Sequence, residues 1–288
     1  MLDMWEYLDV PFVQRMILAG ILAALACGVI GTLVVVRRNV FIAGGISHTS
    51  FGGIGFAYYM QHLGAGWFDP MLGAVLFATG AALVLGSEPI KRRYREDSTI
   101  GALWVIGMAL GVLLITLVDR NRIQVMSFEA ILFGNILLTS KNELLIMAGI
   151  LGAIYLFILI FFRDTEMLAF DEEFSRISGV KVTMLNTLIL LLIALTVTLL
   201  IKVVGVVLVL AMLTIPSAIS NLFTKRLSMM MVASSVLGVF LATAGNLVSI
   251  ELDTPPGATI VMIMGAAYLL ALLGKSIYIK IRSLRAGT

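Results

Sequence analysis

The sequence predicts an all-α, polytopic membrane protein of about nine transmembrane helices (eight to nine), forming a single membrane domain over residues 1–288. Three observations carry that expectation. Sixty per cent of the residues are apolar and only 13% are charged, against about 25% charged in a typical soluble domain. The mean hydropathy is +1.06. The chain also divides into long stretches free of Asp, Glu, Lys and Arg, separated by short charged connections.

The first fifteen residues, MLDMWEYLDVPFVQR, place Asp3, Glu6 and Asp9 ahead of the first basic residue. That polarity is wrong for a cleaved signal peptide, so the first span is expected to be retained. Charge-free stretches then follow at 16–36, 40–60, 70–87, 99–118, 144–162, 182–201, 203–224, 227–250 and 255–274. A crossing needs about 20 mostly apolar residues to span roughly 30 Å of hydrocarbon. Helices are the required form, because isolated strands leave backbone groups unsatisfied in lipid.

The uncertain boundary is Lys202, one charge between two long stretches. Residues 182–224 are too long for one crossing, and the distribution of basic residues tests whether they make two. With nine spans and the N-terminus outside, the inner connections hold Arg37, Arg38, Lys91, Arg92, Arg93, Arg95, Arg163, Arg176, Lys181, Lys225, Arg226, Lys275, Lys280, Arg282 and Arg285. The outer side holds Arg15, Arg120, Arg122, Lys141 and Lys202. Treating 182–224 as one span flips everything after it and erases the asymmetry. A hairpin with Lys202 and Gly205 near its tip is therefore expected, with the C-terminus cytoplasmic.

Two further segments do not cross. Residues 126–138, MSFEAILFGNILL, are apolar but short and suit a half-helix or an outer interfacial helix. Residues 163–181 form the longest cytoplasmic connection. Met167, Leu168, Phe170, Phe174 and Ile177 lie among charges there, a pattern for a short amphipathic helix on the inner face.

Ionisable residues within spans are costly and are functional candidates. The nine stretches contain one residue of this kind, His48, in VFIAGGISHTSFGGIGFAYYM. It lies about eight residues, or roughly 12 Å, from the cytoplasmic end of its helix. Gly44, Gly52 and Gly55 share its helical face, and Ser47, Thr49 and Ser50 add hydroxyls. The small residues either admit a neighbouring backbone or leave room for an ion beside the imidazole. Imidazole is a common ligand for first-row metals, and a core histidine bonded to a neighbouring helix is the plainer alternative. Pro216 is expected to kink its helix, and Asn246 and Ser249 to hydrogen-bond between helices. Glu251 and Asp253 occupy an outer turn, where they either draw cations to a mouth or are simply solvated.

Other classes lack their parts. The lone Cys27 permits no disulfide framework and no thiolate cluster. A net charge of +3 gives no basis for a nucleic-acid partner. There is no HExxH, no GxSxG and no P-loop, and no span carries the Asp or Glu that a proton-coupled carrier needs.

Several segments together resemble one family. GGISHTSFGGIG is similar to the second-helix motif of the permease subunits of ATP-binding-cassette importers for zinc, manganese and iron. DEEFSRISGVKVTMLNTLILLLIALTV resembles their Asp-x-Glu-Phe loop entering a Leu-rich helix. VVGVVLVLAMLTIPSAISNLFTKRL, LDTPPGATIVMI and ILFGNILLTS resemble further segments, all in family order between about residues 20 and 274. The resemblance implies a pair of permease copies in the cell membrane, in contact with lipid. It also implies an ATP-binding-cassette ATPase beneath each copy and an extracytoplasmic metal-binding protein. The chain itself would bind no cofactor and would catalyse no reaction, the cargo being a divalent metal ion. By the same carry-over, His48 is the metal-contacting residue, with Ser47 beside it as a second candidate. Asp171, Glu172, Phe174, Arg176 and Gly179 form the element coupled to the ATPase, and Glu251 and Asp253 stand at the outer mouth.

The chain departs from the family pattern at two positions. Gly44 stands where many relatives carry an Asp four residues before the His, and Asn135 replaces a second common Asp. Loss of a hard oxygen ligand argues for zinc over manganese. A metal chelate or corrinoid as cargo, or a membrane assembly subunit without transport, are the alternative expectations.

Overall fold

A computed structural model of the chain describes residues 10–87, 96–119, 123, 125–134, 136 and 139–286. Among the described residues every regular element is helical. In chain order these are α1 (Pro11–Val36), α2 (Val40–His62), α3 (Pro70–Gly86), α4 (Glu96–Thr116), α5 (Phe128–Phe133), α6 (Lys141–Phe170), α7 (Glu172–Ile177), α8 (Val182–Val204), α9 (Val206–Phe223), α10 (Leu227–Leu252) and α11 (Pro256–Ala286). Eight of them are long and apolar enough to cross a membrane, and α3 is a shorter apolar helix of 17 residues. At 1.5 Å per residue, α3 reaches about 26 Å. Against the expected eight to nine spans, the described residues thus hold eight helices long enough to cross and the shorter α3. The chain is a multi-pass membrane protein.

Helix ends run past the charge-free stretches where a long cation can sit at the interface. α1 begins at Pro11, with Arg15 on its first turns donating from Nε to Pro11 O at 3.1 Å. α6 continues to Phe170 and bends at Phe161, where φ is −108° and ψ is 17°. The connection expected over 163–181 is therefore shorter than the sequence suggested. Its first eight residues extend α6, and the amphipathic helix is the six-residue α7.

The turn between α8 and α9 is one residue, Gly205, which ends one helix and starts the next at φ 85°, ψ 159°. Lys202 does not break the chain. It lies in the last turn of α8 with Nζ 3.1 Å from Glu143 Oε1. Glu143 also closes a capping box with Ser140 at the start of α6. Segment 126–138 contains the half-helix α5, which Gly134 ends at φ 74°. Gly134 and Gly205 press backbone to backbone: a Cβ on Gly134 would lie 2.6 Å from Gly205 N, and one on Gly205 would lie 2.5 Å from Leu132 O. Gly257, at the start of α11, packs on the Phe133 carbonyl.

Side-chain ties sort the helix ends into two groups. At one end Arg37 Nη1 donates to Asn186 Oδ1 at 2.7 Å, and Lys275 Nζ donates to Leu222 O at 2.9 Å. At the other end Tyr58, Asp69, Met126 and Lys202 share a cavity. The direction reverses at each connection between these groups, including the α8–α9 hairpin.

α2 lies at the centre, packed on α3 through Gly53 and Gly73 and on α4 through Gly52, Gly55, Gly107 and Gly111. α1 packs on α9 and α10, where Gly31 abuts Leu213 and Ser217, and Gly28 abuts Ser235. Pro216 lies within a continuous α9, and the neighbouring Ser217 hydroxyl meets Ser234 of α10 at 2.7 Å. The interhelical bonds expected of Asn246 and Ser249 are not formed. Neither amide atom of Asn246 has a partner among the described residues, and Ser249 Oγ donates to Thr254 O in the following turn. α10 lies against glycine and aliphatic surface there, Gly20 of α1 and Ile260 of α11, which offers the amide no acceptor. α6 and α11 turn large apolar side chains outward, among them Leu145, Leu159, Met262 and Leu270.

Candidate functional site

His48 is the ninth of the 23 residues of α2, at the start of its middle third, and is 8% exposed. Its neighbours come from α4. Trp104 and Met108 are four residues apart, so they share one face of that helix. The Trp104 ring stacks on the imidazole with centroids 4.5 Å apart and planes 23° from parallel. On the imidazole edge, Met108 Sδ lies 2.9 Å from Nδ1.

The glycine face around His48 is used for close approach. A Cβ on Gly52 would lie 2.8 Å from Gly107 O, and one on Gly55 would lie 2.6 Å from Gly111 O. Thr49 Oγ1 donates to Gly45 O at 2.7 Å in its own helix and to Leu103 O at 3.3 Å in α4. Between the two uses the sequence left open for this face, the structure has the neighbouring backbone. Gly44 has a separate explanation. A Cβ there would run into the six-membered ring of Trp104. The indole fills the volume that a carboxylate at position 44 would need.

Ser47 turns away from this cluster, fully buried, and its hydroxyl donates to Ala43 O at 2.8 Å. Ser50, also fully buried, has a hydroxyl without a partner among the described residues. No group of three or more His, Cys, Asp or Glu gathers among the described residues. Asn135 lies outside them, as do Lys91, Arg92, Arg93, Arg95, Arg120 and Arg122.

A cavity of about 160 Å³ opens at the end of α2 beyond Ile54, lined by Tyr58, Asp69, Met71, Met126 and Lys202. Asp69 caps α3 by accepting from Met71 N at 2.7 Å. Glu251 and Asp253 are exposed in the α10–α11 turn, where Asp253 takes the left-handed conformation at φ 51°. They do not line this cavity, and the structure does not bring them near His48.

At the opposite end, Asp171 starts α7 by accepting from Phe174 N at 2.9 Å. Glu172 and Arg176 form an exposed ion pair at 3.3 Å, and Gly179 ends the element at φ 87°. Ser175 is fully buried while Phe170, Phe174 and Ile177 are exposed. The helix anchors on its small residue and presents its large apolar ones outward. A cavity of about 310 Å³ lies behind it between α6 and α8, bordered by Phe161, Asp164 and Lys181.

Trp104 and Met108 were not among the residues singled out from sequence. The usable signal was the glycine pair 107 and 111 on α4, matching 52 and 55 on α2, which marks the two helices as partners.

Residues 9–275 match the ABC 3 transport family. The chain is 35% identical to an uncharacterized membrane protein of Synechocystis, over 93% of this chain and 92% of that protein. It is 34% identical to MntC, a manganese transport system membrane protein of Halalkalibacterium halodurans, over 92% of this chain and 88% of that protein. Among solved structures, PsaBC from Streptococcus pneumoniae in complex with Fab is similar with a TM-score of 0.83. The identity is 26%, with 97% of this chain and 99% of that one covered.

Proposed function

The chain belongs to the ABC 3 transport family, and on that premise we propose that it is the permease subunit of an ATP-binding-cassette importer for a divalent transition metal. It is the membrane-spanning part of a transporter in the cell membrane and not an enzyme. Hydrolysis would take place on a separate ATPase chain. A second permease copy and an extracytoplasmic metal-binding protein would complete the complex, with residues 1–288 acting as one domain.

The observation that carries the metal assignment is His48, an imidazole held inside a membrane-crossing helix and nearly closed off from solvent. A neutral imidazole binds first-row divalent ions through a ring nitrogen. Alternating access is the mechanism that fits. In the present conformation Trp104 and Met108 pack on His48, and an ATP-driven movement at α7 would open the His48 region to one side of the membrane and then the other. Glu251 and Asp253 would face the delivery protein, and Asp171, Glu172, Phe174, Arg176 and Gly179 the ATPase. Ser47 contributes to helix packing in this conformation and would meet the ion only after rearrangement.

A relative named for manganese puts that ion first. Zinc is the ion favoured by an imidazole without a neighbouring carboxylate, and iron completes the set. A corrinoid or metal chelate fits less well, because the one-residue turn at Gly205 and the small outer cavity offer little room. The decisive experiment is ATP hydrolysis by the reconstituted complex, titrated with manganese, zinc and iron(II). Stimulation by at least one ion is expected, and His48→Ala should abolish it while the complex still assembles. An assembled His48→Ala complex with the wild-type metal response would defeat the assignment.

A further inference from the structure

We propose that Met108 is a positioning residue for transport, holding the His48 imidazole in one tautomer so that Nε2 faces the ion. The inference rests on His48 being the metal-contacting residue, and it goes further by naming the group that makes His48 competent.

A thioether sulfur has no hydrogen to give, so the 2.9 Å contact of Nδ1 with Met108 Sδ is a hydrogen bond only in the tautomer that carries its proton on Nδ1. Nε2 then keeps its lone pair. Metal-binding histidines are commonly fixed in this way by a group on the other ring nitrogen, usually a carboxylate or a carbonyl. A thioether is a weaker acceptor than either, so it orients the ring without making the nitrogen a strongly basic ligand. Weak, oriented ligation suits an ion that has to leave again.

The placement of Met108 is built into the helix pair. Gly107, its neighbour in sequence, touches α2 at the His48 turn: a Cβ on it would lie 2.6 Å from Thr49 Cα and 2.8 Å from His48 O. The Thr49 hydroxyl reaching Leu103 O ties the same two turns together. Trp104 covers one face of the imidazole. With one face stacked and Nδ1 engaged, the ring presents Nε2 in a single direction.

The test compares Met108→Leu with Met108→Gln in the reconstituted complex, reading the metal concentration for half-maximal ATPase stimulation and the maximal rate separately. Leu keeps the volume and removes the acceptor, whereas Gln restores an acceptor through its amide oxygen. We expect Met108→Leu to raise the half-maximal concentration by roughly tenfold or more, the scale on which such partners alter metal affinity. Met108→Gln should recover most of that loss. If Leu matches the wild type, or if Gln is no better than Leu, the side chain serves packing and the proposal fails. A change in which ion is preferred in Met108→Gln would make residue 108 a ligand and would equally overturn it. His48→Ala in the same assay separates the two levels: an unchanged metal response there removes the site assignment itself, whatever Met108 does.

Discussion

Gly205 bears a constraint that no other residue type meets. At φ 85° and ψ 159° it lies in a region of backbone space that is essentially restricted to glycine, and its α-carbon faces the Leu132 carbonyl. Placing another residue there costs about 1–3 kcal/mol in backbone strain, before the contact with α5 is counted. Gly205→Ala should therefore lower the melting temperature of the detergent-solubilised protein by several degrees. Gly265→Ala, on α11 with open space around it, should not. Equal melting temperatures for the two variants would refute the argument. At the same scale, Gly44 and Trp104 behave as one unit: the glycine exists where it does because the indole occupies its side-chain volume.

Among the elements, α7 is the one whose exposed face calls for a partner. A six-residue helix is too short to be stable by propensity alone. It is held by the Asp171 cap and by burial of Ser175, while Phe174 stays 56% exposed. If this face docks on the ATPase, Phe174→Ala should reduce co-purification of the ATPase and its metal-stimulated turnover, leaving the permease folded. Unchanged co-purification and stimulation would count against that role. The bend at Phe161 lies one helical stretch away, at the wall of the cavity behind α7. A movement of α7 would reach the membrane part of α6 through that bend.

For the whole molecule, the two groups of helix ends would lie at opposite membrane faces, and the distribution of basic residues leads us to expect the Arg37 and Lys275 end in the cytoplasm. Cys27 is fully buried, so the chain is already suited to single-cysteine mapping. Cysteines replacing Trp67 and Asp253 should react with a membrane-impermeant maleimide in intact cells. Replacements at Ile177 and Lys225 should react only after permeabilisation. All four positions are exposed on the permease chain, so in cells expressing the permease without its partner proteins access depends on sidedness, and the reverse pattern would invert the orientation.

Much of this architecture was legible in the residues. Hydropathy is local and nearly additive along a helix, so the stretches between charges located the eight long helices and the shorter α3, and the lone span histidine stood out. The α8–α9 hairpin was also readable, because the charge asymmetry failed without it. The helix ends were less readable: Arg15 and the run from Arg163 to Phe170 are helical, since a charge at the interface can be solvated without breaking the backbone pattern.

The lateral arrangement was settled only by the tertiary structure. Met108 meets His48 across 60 residues of sequence, and nothing local to either residue encodes that meeting. It follows from surface shape, the glycines of α2 and α4 letting two backbones touch and the Trp104 ring closing the gap above Gly44. Lys202 found Glu143, Gly134 found Gly205, and Asn246 found no partner among the described residues for the same reason. The sequence by itself determined that the chain crosses the membrane and where its apolar helices and the one histidine within them lie, because transfer of each helix into lipid depends on that helix alone. What surrounds the imidazole was decided by packing, because that depends on two surfaces at once.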